Sequence, residues 1–276
     1  MGAAHGILAG YDGSPGSEQA LDWALWEAQA RAIPLTVCHA WPPVPGGDRT
    51  ASSLAGRTGE HILAEGLQRA RAAAPSAEVR SLVEQGTAAH VLCEHSHDAF
   101  MVVVGSRGRG GLAGLLLGSV SLQVASYAAV PVTVVRGRWR PVPGHAPGVI
   151  VAGADGSPAS QAALEFAFEE AALRDVPLLA VCALADSAEV LGAAHDYEAQ
   201  FTEAVARCER DFPHVTTRRM VMPGGPRAAL FTAAAEAQLL VVGARGHGRL
   251  RDMRLGSVAS AVLHHATCPV AVVRSR

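Results

Sequence analysis

Short apolar runs dense in β-branched residues alternate along this chain with longer stretches whose apolar positions recur at helical spacing. The first half reads ILAGY, a helix over roughly 15–31, PLTVCHA, a helix over roughly 55–74, EVRSLVEQ, a helix over 87–97, FMVVVG, a helix over 118–128, and PVTVV. Strand, helix, strand in this order predicts βαβ units and a parallel sheet. The strands are nearly continuous apolar runs, as expected of a sheet covered by helices on both faces.

The pattern is written twice. ILAGYDGSPGS near residue 7 returns as IVAGADGSPAS near residue 150, so that Asp12 matches Asp155. PLTVCHA returns as PLLAVCA, VVVGSRGRG as LVVGARGHG, LLGSVS as RLGSVAS, and VPVTVVRG as CPVAVVRS. Echoes in the same order mark a tandem repeat. The second copy is slightly shorter between Ala40 and Gly86, where surface loops tolerate change. GRWRPVPGHAPG separates the copies and is rich in proline and glycine, as a linker should be. The expected division is a first domain over 1–137, a linker over 138–148 and a second domain over 149–276, each a five-stranded α/β sandwich.

Composition narrows the function. Of 276 residues 49% are hydrophobic and 17% charged, enough to bury two cores. A net charge of −2 gives no global reason to expect nucleic acid or an anionic membrane as partner. All 23 basic residues are arginine, which excludes a Walker-type P-loop and Schiff-base chemistry, because both need a lysine. Five cysteines, without CxxC spacing and mostly inside apolar runs, point to free thiols in a reducing compartment. The N-terminus lacks the basic segment of a signal peptide, so the expected location is the cytoplasm.

Both copies place a glycine frame between the fourth strand and the fourth helix: GSRGRGGLAGLLLGS and GARGHGRLRDMRLGS share G-x2-G-x9-G-S. The fixed positions are Gly105, Gly108, Gly118 and Ser119 in one copy, and Gly243, Gly246, Gly256 and Ser257 in the other. A glycine at a strand end can take positive φ and bring bare N–H groups close to an anion. A Gly-Ser helix start adds the unsatisfied N–H groups and the dipole of the first turn, which makes a triphosphate cradle that needs no lysine. A glycine-rich loop ending in a serine N-cap would leave the same frame, so the residues alone leave both open. The loop after strand one is YDGSPGS or ADGSPAS. Its Asp12 or Asp155 can hold a ribose hydroxyl or a divalent cation beside phosphates, or simply close an Asx-turn. Ser14-Pro15 and Ser157-Pro158 have the chemistry of N-cap and first helical residue.

With these motifs the chain resembles the universal stress protein family, in the tandem form of its ATP-binding branch. The resemblance implies an adenine nucleotide α-hydrolase-like fold with strand order 3-2-1-4-5 and an ATP between strands one and four. Carried over by position, the adenine side comprises Gly10, Tyr11 and Ala40, or Ala154 and Ala183 in the second copy. Asp12 and Asp155 fall on the family's ribose or metal aspartate, with Mg2+ arriving with the ATP. The phosphate side comprises Val104, Gly105, Arg107, Gly108, Gly118, Ser119 and Val120, and in the second copy Val242, Gly243, Arg245, Gly246, Gly256, Ser257 and Val258. The resemblance also implies pairing through fifth strands and a homodimer of the tandem chain. A nucleotide binder and regulator of the stress response is the expectation. The competing classes are an interaction protein that acts through protein partners with empty cradles, and a slow ATPase or autokinase using Ser119, Ser121 or Ser257.

Other features carry less. Residues 112–135 hold no charge over a length that can span a bilayer, but the equivalent stretch contains Arg251, Asp252, Arg254, His264 and His265, so no membrane span is expected. Cys93, His95 and His97 have no counterpart in the second copy and no second ligand pair, so they predict no metal site. The arginines of 245–254 lack interleaved aromatics and predict no nucleic-acid surface.

Overall fold

The computed structural model describes residues 5–43, 46–110, 116–137, 148–184, 188–246 and 254–275, with the side chains of 184–196 left aside. The chain divides into two compact units, Met1–Pro141 and Val142–Arg276. Most of the expected linker, residues 138–147, lies outside the described residues, as do the centres of both nine-residue inserts with Arg249, Arg251 and Asp252.

In the first unit the order is β1 (Gly6–Gly10), α1 (Pro15–Arg31), β2 (Leu35–Trp41), α2 (Arg49–Ala73), β3 (Val79–Gln85), α3 (Ala88–His95), a single 3-10 turn, β4 (Ala99–Gly105), α4 (Ser119–Tyr127) and β5 (Val132–Val135). The second repeats it with β6 (Val149–Gly153), α5 (Pro158–Arg174), β7 (Leu178–Leu184), α6 (Ala188–Asp211), β8 (Thr217–Pro223), α7 (Pro226–Ala233), β9 (Ala237–Gly243), α8 (Ser257–His265) and β10 (Val270–Val273). Strands run in the order β3-β2-β1-β4-β5, and equivalently β8-β7-β6-β9-β10, with parallel neighbours. Register repeats too: Ile7 lies beside Leu35 and Met101, and Ile150 beside Leu178 and Leu239.

This order reverses direction between β1 and β4, since the chain winds outward through β2 and β3 and then crosses back. At such a switch point the connections leave to opposite faces and open a crevice at the carboxyl ends of the strands. The apolar runs become the core: Ile7, Leu35, Val102 and Val103 are fully buried, as are Ile150, Leu178, Leu239 and Leu240.

Helix starts follow local chemistry. Ser14 and Ser157 cap α1 and α5, accepting the N–H of Ser17 and Ser160 at 3.2 Å each, with proline in the first turn. Helix α2 starts six residues earlier than its apolar periodicity suggests, at Arg49 rather than 55, because Asp48 accepts the Ala51 N–H at 2.9 Å and supplies a cap to a polar first turn.

Candidate nucleotide-binding site

The crevice of each unit is a cavity, about 430 Å³ in the first and about 690 Å³ in the second, within the range of small-ligand sites. Every residue expected from the first copy lines the first cavity: Gly10, Tyr11, Asp12, Ala40, Val104, Gly105, Arg107, Gly108, Gly118, Ser119 and Val120. The second cavity likewise gathers Ala154, Asp155, Ala183, Val242, Gly243, Arg245, Gly246, Gly256, Ser257 and Val258.

One end of each cavity is apolar. Leu92 of α3 lies so close over β1 that a Cβ on Gly10 would stand 3.0 Å from its Cδ1, and Leu230 of α7 meets Gly153 in the same way at 3.0 Å. Glycine at these strand ends makes room for a leucine wall. Tyr11 is buried in the first unit, where the second carries Ala154. Burial, and then the negative charges of Glu18 and Glu65, push the Tyr11 phenol above its ordinary value, so it stays neutral. His39 brings Nδ1 to 2.8 Å from the Tyr11 carbonyl; since a carbonyl only accepts, Nδ1 carries the hydrogen.

The other end is built from backbone. Gly118 and Gly256 are the cap residues of α4 and α8, and no side chain caps either helix. The serine N-cap pictured from the sequence is therefore replaced: Ser119 and Ser257 are the first helical residues, and a glycine stands where a capping side chain would be. The first-turn N–H groups of Ser119, Val120, Ser257 and Val258 thus belong to residues that line the cavities. Each cap is fixed by a backbone bond, from Gly118 N–H to Ser106 O at 2.7 Å and from Gly256 N–H to Ala244 O at 2.8 Å. Ser121 donates to Gly105 O at 2.7 Å, so this hydroxyl already has a partner.

The first two glycines of each frame serve close approach, and none of the frame glycines adopts a positive φ. A Cβ on Gly105 would meet the backbone of Gly16, and one on Gly243 would lie 2.8 Å from the Ala159 carbonyl carbon. A Cβ on Gly108 would collide with Asp12 Oδ2, and one on Gly246 with Asp155 Oδ2. Positive φ occurs instead in the DGS turns, at Gly13 (76°) and Gly156 (81°). There Asp12 Oδ1 and Asp155 Oδ1 accept the N–H of Ser14 and Ser157 at 3.0 Å each, closing Asx-turns.

Asp12 Oδ2 also accepts the Arg109 N–H at 2.8 Å. Burial works to raise this carboxyl, but the hydrogen bonds from Ser14, Arg109 and Ser17 outweigh it and hold Asp12 below its ordinary value. Arg107 and Arg245 line the polar ends, and Arg109 lines the first cavity. A hydrophobic slot leading to uncapped helix N-termini and arginine suits a nucleotide. Each Asp12 carboxylate oxygen already accepts one N–H, so a divalent cation there would have to share the carboxylate with two donors that hold it in place. Among the described residues no group of three or more His, Cys, Asp or Glu is placed to hold a metal, and no helix is long and apolar enough to cross a membrane.

The sequence missed Leu92, Leu230, His39 and Ser17 as cavity residues. The repeat held a signal for three of them: Leu92 and Leu230 recur at equivalent positions of α3 and α7, and Ser17 recurs as Ser160.

Fold and site together define a tandem α/β protein with one crevice per unit at the sheet's switch point. The profile of the universal stress protein family matches residues 4–136 and 148–274, and the chain belongs to that family. It is 38% identical over 289 residues to a universal stress protein of Mycobacterium tuberculosis, covering 98% of this chain and 97% of the relative. It is 35% identical over 292 residues to one of Mycolicibacterium smegmatis, covering 99% and 98%. Among solved structures, a universal stress protein from Archaeoglobus fulgidus shares the fold with a TM-score of 0.75 at 20% identity, covering 98% of this chain and 96% of that one.

Proposed function

We propose that this protein binds one adenine nucleotide in each unit, with ATP as the ligand, and acts as a nucleotide-responsive regulator of the stress response. The observation that carries the proposal is the uncapped start of α4 and α8 at the polar end of a cavity whose other end is leucine-walled. The helices α1 and α5, which begin beside the same cavities, are capped by Ser14 and Ser157. Helices α3 and α7 also start without a side-chain cap, at Thr87 and Gly225, so what supports an anion site at α4 and α8 is their open first turn together with the glycine frame and Arg107 or Arg245 at the same end of the cavity. Adenine then occupies the slot between Leu92, Val104 and Ala40, with Leu230, Val242 and Ala183 as counterparts. The triphosphate lies against the first turn of α4 or α8 and the Arg107 or Arg245 loop. Mg2+ enters on the phosphates.

The test is nucleotide release from purified protein on denaturation, followed by titration of the stripped protein with Mg-ATP. Close to two nucleotides per chain is the expected result. No release together with no binding would overturn the proposal.

A further inference from the structure

In the family resemblance Asp12 and Asp155 are ligands of ribose or metal, but their surroundings assign them another task. Asp12 reaches across the crevice. Its Oδ1 accepts the Ser14 N–H from the loop after β1 at 3.0 Å, and its Oδ2 accepts the Arg109 N–H from the loop after β4 at 2.8 Å. Arg109 answers from the far side, donating from Nη1 to Asp12 O at 3.4 Å. Ser17 Oγ completes the support by accepting the Asp12 N–H at 3.2 Å while donating to Ser14 O at 2.9 Å. The second unit repeats the half of the frame that lies in the loop after β6: Asp155 Oδ1 accepts from Ser157 at 3.0 Å, and Ser160 Oγ accepts the Asp155 N–H at 3.3 Å and donates to Ser157 O at 3.0 Å.

The second glycine of each frame records the same contact from the other side. Gly108 and Gly246 sit beneath Asp12 Oδ2 and Asp155 Oδ2 so closely that neither has room for a Cβ. By contrast, a Cβ on Gly118 or Gly256 would find its nearest neighbour at an ordinary 3.4 Å. The G-x2-G spacing is therefore shaped by the aspartate as well as by any phosphate.

We propose that Asp12 and Asp155 are positioning residues: each carboxylate clasps the loop after the unit's first strand to the loop after its fourth. The clasp sets the distance between the two walls of the crevice, and its carboxylate does not ligate a cation. In its effect on affinity this inference rests on the nucleotide reading; the clasp itself exists without ligand.

Two measurements separate the two. In ligand-free protein, Asp12→Asn should speed amide exchange at Arg109 by about tenfold or more, the equivalent of one charge-assisted hydrogen bond, since an amide cannot offer acceptors to both N–H groups. Gly108→Ala should do the same by pushing the carboxylate aside, and the double substitution should add little to either. With ATP, Asp12→Asn should weaken binding by the same factor in Mg2+ as in a chelator. Unchanged exchange at Arg109 in both variants, additive effects, or an affinity loss confined to Mg2+ would overturn the clasp. Absence of ATP binding altogether would instead refute the nucleotide site, with the exchange measurements still deciding the clasp.

Discussion

Gly66 lies in α2 against the face of Tyr11, where a Cβ would stand 2.8 Å from both Cδ1 and Cε1 and 3.2 Å from Cγ. Replacing it with alanine sets two effects against each other. Helix propensity favours alanine by about 1 kcal/mol. Forcing a methyl group into a packed ring costs about 1–3 kcal/mol, and Tyr11, only 5% exposed, has no free direction to move. The steric effect should win, leaving Gly66→Ala less stable by up to about 2 kcal/mol. In a Tyr11→Ala background, which places in the first unit the residue that the second carries at Ala154, the collision is gone. There the same substitution should stabilise by about 1 kcal/mol. The assay is built into the chain, because Trp23, Trp26, Trp41 and Trp139 all precede the second copy. With Trp139 of the linker replaced by phenylalanine, tryptophan fluorescence during urea unfolding follows the first unit alone. Equal effects of Gly66→Ala in the two backgrounds, within about 0.5 kcal/mol, would refute the reasoning.

Further outcomes follow from single groups. Because Asp12 is held below its ordinary value of 3.8, the stability it contributes is present above that value and lost as pH falls through the lower folded one; the stability of wild type and Asp12→Asn should converge in acid. Burial pushes Cys38 up to about 12, and Cys182 and Cys208 up to about 11, so a thiolate-selective reagent should label them only after unfolding, while the less buried Cys93 labels first. Ala32 ends α1 at φ 53°, ψ 43°, and Ala32→Gly should raise melting stability by about 1 kcal/mol by removing the left-handed strain. Gly118→Val should abolish nucleotide binding in the first unit while lowering its stability by only about 1 kcal/mol, the cost of losing a glycine N-cap.

The architecture was legible where physics is local. Apolar runs such as FMVVVG must be covered, Ser-Pro pairs start helices, and a repeated order of elements implies a repeated sheet. The site was legible as far as the backbone motif reached, because the frame glycines and both aspartates lie in loops that the topology brings to one sheet end. The leucine walls were hidden because Leu92 and Leu230 sit on short helices that look like ordinary core. The start of α2 was hidden because RTASS has no apolar rhythm, and its signal was the aspartate before it. Positive φ was the wrong reason for the frame glycines: Gly105 and Gly108 supply a missing methyl group, and that depends on Gly16 and Asp12, distant in sequence.

On the proposed nucleotide reading, the first turns of α4 and α8, which no side chain caps, couple the protein's folding to the solution around it. An anion that binds only the folded form adds about 2.7 kcal/mol at one hundred times its dissociation constant, and each unit draws on this separately. The melting profile is then a property of the protein and its medium together. Two preparations of the same chain, one in sulfate and one in a large neutral buffer, would behave as proteins of different durability. Inside a cell, resistance to proteolysis would rise and fall with the anion pool that fills the crevices.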